Sequence, residues 1–267
     1  MRLTDHGTVE FGLAALMTFL LVFLRVGGMF LRAPLFGSTM FPTQARIWLS
    51  FAIALLLTPP LLGKHGVALA SQSAAGYLLA CATELSLGLV LGFAANTLLY
   101  GLLMAGHLID TDMGFTLASV VDPVNNENMA LMSQILFLAG LVAFFALDGH
   151  YVALSALHFS FERVPLGQAA ITDAMGQWLL LELAPQVLVI GVVFAAPTLA
   201  AVFLSTVALG LVARVVPEMN VFAFSFATRL LVGFAFVGLS LKYLAPVADR
   251  LVQGTFAHLL ELVARGA

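Results

Sequence analysis

Charge is what this sequence has least of. Only 9% of its 267 residues are Asp, Glu, Lys or Arg, against about 25% in an ordinary soluble domain. Its lysines are Lys64 and Lys242 alone. No run of like charges occurs, which excludes a basic stripe for nucleic acid and a polybasic lipid-binding tail. Cysteine is nearly absent as well. Cys81 stands alone inside an apolar run, so no internal disulfide can form, and a small buried hydrophobe is its plain reading. Also missing are a Gly-x-Ser-x-Gly nucleophile elbow, a Gly-rich phosphate loop ending in Lys-Ser/Thr, and a dinucleotide fingerprint. The histidines fall short of a metal site. His107 and Asp110 are spaced for one helix face, as are His150 and His158, but no third or fourth ligand stands at close spacing. No catalytic site, no cofactor and no metal are expected.

What is present in quantity is apolar. Hydrophobic residues make up 61% of the chain and its mean hydropathy is +1.06. So few charges cannot keep that much apolar surface in solution, and the chain reads as an integral membrane protein. Met1–Glu10 carries Asp5 and Glu10, and no small-residue cleavage site precedes Pro34. The first apolar stretch is therefore expected to be a retained helix rather than a leader.

Six apolar segments emerge: Phe11–Leu31, Ile47–Leu62, Tyr77–Met104, Met129–Leu157, Trp178–Leu211 and Val221–Ala245. A weaker amphipathic stretch, Val247–Ala264, closes the chain. A spanning helix needs about 20 apolar residues, and in lipid a helix satisfies its own backbone. The ten-residue alternation of an outer-membrane barrel is absent. The expected fold is all-α and polytopic: one domain of about six long, kinked helices arranged as hairpins.

These are not uniform lipid-facing rods. Arg25, Glu84, Glu182, Arg229 and Lys242 interrupt apolar runs, and an ionisable group at the bilayer centre costs at least about 2.5–3.5 kcal/mol. Such helices are expected to face protein or water. Trp178–Leu211 would reach about 51 Å as one helix, beyond a hydrocarbon core of about 30 Å. With Pro185 and Pro197 inside it, a break or hairpin is expected around Gly191–Pro197. Gly88, Gly92 and Asn96 recur every four residues, a strip that admits close approach of a partner helix.

The connection after the third segment, residues 106–128, exceeds the usual limit of about 12–15 residues for a structureless loop. Asp122-Pro123 and Asn125-Asn126 are turn formers within it. It is either a structural connector or a gating element. Gly106, Asp110, Met113, Gly114, Phe115, Asp122, Pro123 and Met129 are its candidate residues.

Three further strings remain, each by itself ordinary turn chemistry between helices. The first holds Arg25, Gly28, Pro34, Gly37, Pro42 and Arg46. The second holds Gly149-His150, Ser160-Phe161, Pro165 and Gly167. The third holds Arg214, Pro217, Asn220 and Phe222, where Pro217 would end one helix and Asn220 would cap the next. Together with Gly114-Phe115 and Asp122-Pro123, and in this order from about residue 11 to 245, they resemble the R-type subunit of the flagellar export gate, the FliR family. Glu218 departs from the Gln that the family often places there, and Phe224–Arg229 lacks the family's Gly-Phe-Pro run.

The resemblance implies a core subunit of a hetero-oligomeric protein export gate in the bacterial inner membrane, at the flagellar basal body. Implied partners are P-type and Q-type gate subunits, other flagellar export and basal-body components, membrane lipid, and unfolded flagellar proteins in transit. It also implies that the 106–128 connection plugs the resting pore. Arg25 and Arg46 are then expected to pair with acids or carbonyls of neighbouring subunits. The competing expectation is a self-contained transporter or channel with Glu84, Glu182, Arg229 and His150 as a midplane relay.

Overall fold

A backbone without water must satisfy its polar groups locally, and a helix does so residue by residue. The computed structural model describes residues 3–34, 36–37, 41–70, 73–115, 130–168, 173–216 and 220–265. Among these residues every regular element is helical. They are α1 (Leu3–Arg32), α2 (Thr43–Ala70), α3 (Ala74–Met113), α4 (Leu131–Ala146), α5 (Gly149–Arg163), α6 (Asp173–Trp178), α7 (Ala184–Val215), α8 (Val221–Leu241) and α9 (Leu244–Arg265). A single π-helical turn, Leu179–Leu183, joins α6 to α7.

Five stretches of the described residues are long and apolar enough to cross a membrane: Gly12–Arg32, Thr43–Leu62, Ala74–Met113, Met175–Val215 and Phe222–Leu241. The pair Leu131–Ala146 and Gly149–Arg163 makes a sixth if counted as one span. The all-α, multi-pass expectation holds.

Several boundaries differ from those expected, each for a local reason. The third helix does not stop at Met104 but runs on to Met113. Gly106, Asp110 and Met113 are therefore helical, and the connection starts at Gly114. The fourth segment is two helices, because Asp148 adopts a left-handed φ of 55° at their junction, a conformation Asp tolerates better than most residues. No hairpin forms around Gly191–Pro197. That stretch lies within α7, where Phe194, Ala195, Thr198 and Val202 are buried. The irregularity sits earlier, at Leu179–Leu183. Pro185 lacks the N–H that would reach the Leu181 carbonyl, and its ring crowds that oxygen. A wider π turn at that point relieves the crowding. The second helix passes through Pro59 and Pro60 to Ala70, and α8 ends at Leu241, before the expected Ala245.

The chain divides into two compact units. The first comprises Met1–Asn96, Gly149–Leu183 and Val252–Ala267. Here α1 packs on α2, with Phe19 edge-on to Phe51 at 5.2 Å between ring centroids. The start of α3 lies against α1, and the Tyr77 hydroxyl donates to the Met17 carbonyl at 2.8 Å. Glycine makes that approach possible. A methyl group on Gly28 would sit 2.7 Å from the Leu85 carbonyl oxygen, and one on Gly88 would overlap the Arg25 carbonyl. The Gly88/Gly92 strip read from sequence is thus the α1–α3 seam.

The second unit comprises Thr97–Asp148 and Ala184–Leu251. Its core joins Leu99, Leu102 and Ile109 of α3 to Met132 and Leu136 of α4, Ile190 and Phe194 of α7, and Val237 of α8. The outer faces of α7 and α8 stay uncovered, including Val189, Val193, Phe203, Leu204, Phe222 and Leu231.

Replacing Gly88 by Ala should therefore part α1 from α3 and cost about 1–3 kcal/mol, the range for overpacking. Gly238→Ala, where an added methyl meets nothing within 4 Å, should be neutral or mildly stabilising. Thermal unfolding of the two variants in mild detergent tests the contrast.

Candidate functional site

Among the described residues two polar constructions stand out, one in each unit. In the first unit, Arg25 of α1 and Glu84 of α3 are both fully buried. The Arg25 Nε–H donates to Glu84 Oε2 at 2.5 Å. Nη1 donates to the Ser160 carbonyl at 2.8 Å and to the Val164 carbonyl at 3.3 Å, and Nη2 also reaches Val164. The guanidinium lies over the Phe161 ring, 4.5 Å from its centroid. Glu84 uses its other oxygen, Oε1, to accept the Gly167 N–H at 3.0 Å. Gly167 sits at φ 79°, where a side chain would be strained. It follows Pro165, whose carbonyl accepts the Gln168 N–H at 3.1 Å.

The arrangement is a lock rather than a reactive centre. A cation at the C-terminal end of α5 complements the helix dipole and gives the Ser160 carbonyl, which also accepts the Val164 N–H at 3.0 Å, a second donor. Its carboxylate partner neutralises it and accepts the Gly167 N–H of the turn. A buried pair is stable only when both members find such additional hydrogen bonds, and both do here. Arg25 is accordingly used within its own chain, not by a neighbouring subunit as expected. Within the chain, Arg46 donates from Nη2 to the Phe41 carbonyl at 3.3 Å.

The second construction is the root of the long connection. Gly114 has φ 89° and donates to the Thr111 carbonyl at 3.3 Å, while the Phe115 N–H reaches the Asp110 carbonyl at 3.0 Å. These two bonds make a Schellman motif that ends α3 at Met113. The Arg229 guanidinium of α8 donates to the Asp112 carbonyl at 3.4 Å. The Met113 side chain fills the space over Gly233 of α8. Asp110 is buried, and its carboxylate accepts the Met132 N–H at 2.9 Å and the Ser133 N–H at 3.1 Å.

Comparison with known proteins places the chain. The profile of "Bacterial export proteins, family 1" matches residues 16–255. Proteins named flagellar biosynthetic protein FliR are similar along nearly their whole length. The one from Bacillus subtilis (strain 168) is 27% identical over 92% of this chain and 94% of its own. Those from Escherichia coli (strain K12) and Caulobacter vibrioides are 25% and 27% identical, covering 90% and 85% of this chain and 90% and 89% of their own. The chain belongs to the FliR family.

As a membrane-embedded FliR-family protein it carries both constructions inside the matched region. The remaining candidate residues sort by position. Pro34 is buried just after α1, and its carbonyl accepts the Phe36 N–H at 2.8 Å. The Gly37 N–H returns to the Ala33 carbonyl at 2.8 Å, and the Pro42 carbonyl receives the Arg46 N–H at 3.2 Å. Gly149 is buried at the start of α5, and the His150 ring lies 5.1 Å from that of Tyr151. Arg214 is exposed near the end of α7. Asn220 caps α8 as read from sequence, its side-chain oxygen accepting the Ala223 N–H at 3.2 Å. Phe222, in the first turn of α8, is 76% exposed. Asp122, Pro123, Met129, Pro217 and Glu218 lie outside the described residues.

Of the groups considered for a relay, Glu84 is committed to Arg25 and Gly167. Glu182 faces His258 at 3.7 Å, and Arg229 faces the Asp112 carbonyl. Among the described residues no group of three or more His, Cys, Asp or Glu is placed to hold a metal ion. Sequence reasoning missed Ser133 as a partner of Asp110. It also missed Gly114 as the stop of α3, although an apolar run ending at a glycine is a recognisable helix C-terminus.

Removing one member of the charge lock, by Arg25→Ala or Glu84→Ala, should cost about 3–5 kcal/mol because the other charge is left buried alone. The double variant Arg25→Met/Glu84→Leu should lose much less than the sum. Unfolding midpoints of the three proteins in detergent check the coupling; simple additivity would contradict it.

Proposed function

We propose that this chain is a core subunit of the flagellar type III protein export gate in the bacterial inner membrane. In this reading it assembles with P-type and Q-type subunits, and unfolded flagellar proteins pass through the channel they form. The observation that carries it is the family match over residues 16–255, joined by relatives named for flagellar biosynthesis that align over nearly all of both chains.

Helix dimensions support an assembly. α3 has 40 residues and would extend about 60 Å, twice a hydrocarbon core of about 30 Å. Lipid alone cannot cover such a helix end to end. The uncovered apolar faces of α7 and α8 suit neighbouring subunits and lipid together.

Within the gate, the segment that leaves α3 after Met113 and returns at Leu131 closes the resting channel. Its composition suits a plug, since apolar Phe115, Leu117 and Met129 can exclude ions and Asp122-Pro123 supplies a turn. Its root supports the reading, because both helix ends that flank it are held by groups from other helices. A plug needs fixed anchors if it is to return to one place.

Two measurements test the proposal. The native mass of the tagged protein, extracted in mild detergent from its own host, should be that of a large hetero-oligomer containing two other small hydrophobic subunits. A stable monomer or homo-oligomer would favour a self-contained transporter. Deleting residues 114–122 should raise ion leak in cells that overproduce the assembled gate, with unchanged leak ruling out the plug.

A further inference from the structure

α2 carries two adjacent prolines inside a helix. Pro59 and Pro60 fall late in the apolar stretch Thr43–Leu62, and the helix keeps its course through them to Ala70. A proline has no N–H, so each one removes the donor from the carbonyl four residues before it. The carbonyls of Leu55 and Leu56 therefore lose their helical partners. At Pro185 a wider π turn absorbs the same defect, and α2 makes no such turn. The nearest hydroxyl does not replace the lost donors, because Thr58 Oγ1 donates to the Ala54 carbonyl at 2.7 Å.

Both carbonyls open on the outward side of α2. A helix carbonyl points along the axis toward residue i+4, so one lies between Leu55 and Pro59 and the other between Leu56 and Pro60. Leu55 is 58% and Leu56 77% exposed, and both prolines are exposed as well. Ser50, Ala54, Thr58 and Leu61 form the opposite, buried side. The surface around the opening is apolar and includes the exposed rings of Trp48 and Phe51. Two unmet acceptors thus stand side by side on an apolar face. Acyl chains offer no donor, and a backbone group without a partner is costly in an apolar medium. Two neighbouring oxygens call for two N–H groups on one side chain. Lys, Arg, Asn and Gln supply them, and Ser and Thr do not.

We propose that the 55–60 turn of α2 is a docking point for a helix of a neighbouring membrane subunit, which places a Lys, Arg, Asn or Gln side chain against the two carbonyls. The proposal rests on the assembly reading given above, and adds to it the face used and the chemistry of the group that meets it. Polar side chains join helices in this way inside membranes. The apolar residues of the face supply contact area. The carbonyl pair fixes the register, because hydrogen bonds are directional and a small displacement breaks them.

The experiment uses the assembled complex in its host. A photoreactive benzoylphenylalanine replaces Leu56, or Ala52 one turn earlier if the first variant does not assemble, and the crosslinked peptides are identified by mass spectrometry. The crosslink should fall on a helix of a different membrane subunit, within one turn of a Lys, Arg, Asn or Gln. Replacing that residue by Leu should lower the yield of purified complex about three- to tenfold, as expected for a lost interhelical hydrogen bond. Pro59→Ala/Pro60→Ala returns both N–H groups to the helix and so closes the carbonyls. It should lower the yield to a similar extent, and the partner's substitution should then cost nothing further. The same double variant, isolated in detergent, should unfold at an unchanged or higher temperature, since alanine suits a helix interior better than proline.

No crosslink to another subunit, crosslinks to lipid or to a second copy of this chain, or a contacted helix without such a residue overturn the proposal. A partner substitution without effect overturns it too, as do losses that add in the combined variant. A lowered unfolding temperature of the alanine variant also overturns it, since the prolines would then serve the fold itself. If the native mass stays that of a hetero-oligomer while these tests fail, only the docking point is lost. A native monomer refutes the assembly reading itself.

Discussion

A guanidinium and a carboxylate, both sealed from water, hold three separate parts of the first unit together. Arg25 comes from α1, Glu84 from α3, and their remaining hydrogen bonds go to the end of α5 and the turn that follows it. Neither charge could be buried here without the other. Neither would be satisfied without the backbone groups that a helix end and a left-handed glycine turn toward it. The pair requires α1 and α3 to lie close, and the glycines at positions 28 and 88 let them do so. The packing and the charges thus depend on each other.

The second unit uses the same physics at helix ends. The end of α3 is secured by the left-handed Gly114 and by Arg229, and the start of α4 by Asp110. In water these termini could lean on solvent. In an apolar setting each free N–H or C=O needs a partner, and an unmet one costs several kcal/mol. Supplying caps from neighbouring helices ties secondary structure to tertiary packing. It also gives a long connection two defined anchor points.

Both units leave apolar surface uncovered, most of all on α2, α7 and α8. For an isolated soluble protein that would be a liability. For a membrane-embedded FliR-family protein it is surface suited to an apolar surrounding rather than to water. Interior charges and prolines fit the same picture, since helices that face protein can carry groups that lipid would reject.

Much of this was legible in the chain alone. Composition excluded a soluble fold, apolar run lengths located the spans, the Gly88/Gly92 strip marked a helix seam, and Asn220 marked the start of α8. Spaced motifs pointed to the family, because they record turns whose glycines and prolines are needed for backbone reasons. Partnership was what a linear reading could not supply. Arg25 and Glu84 stand 59 positions apart, and Asp110 stands 23 from Ser133. Nothing in local propensity ties such residues together. The same limit explains the helix boundaries. Asp110 and Gly106 resemble loop residues when read locally, and become helical because a neighbouring helix takes the carboxylate and fills the space beside the glycine. Which residues are apolar enough to cross a membrane is a property of the sequence. Which polar group answers which is decided only when the helices pack, because in a medium without water every donor must find its acceptor within the protein.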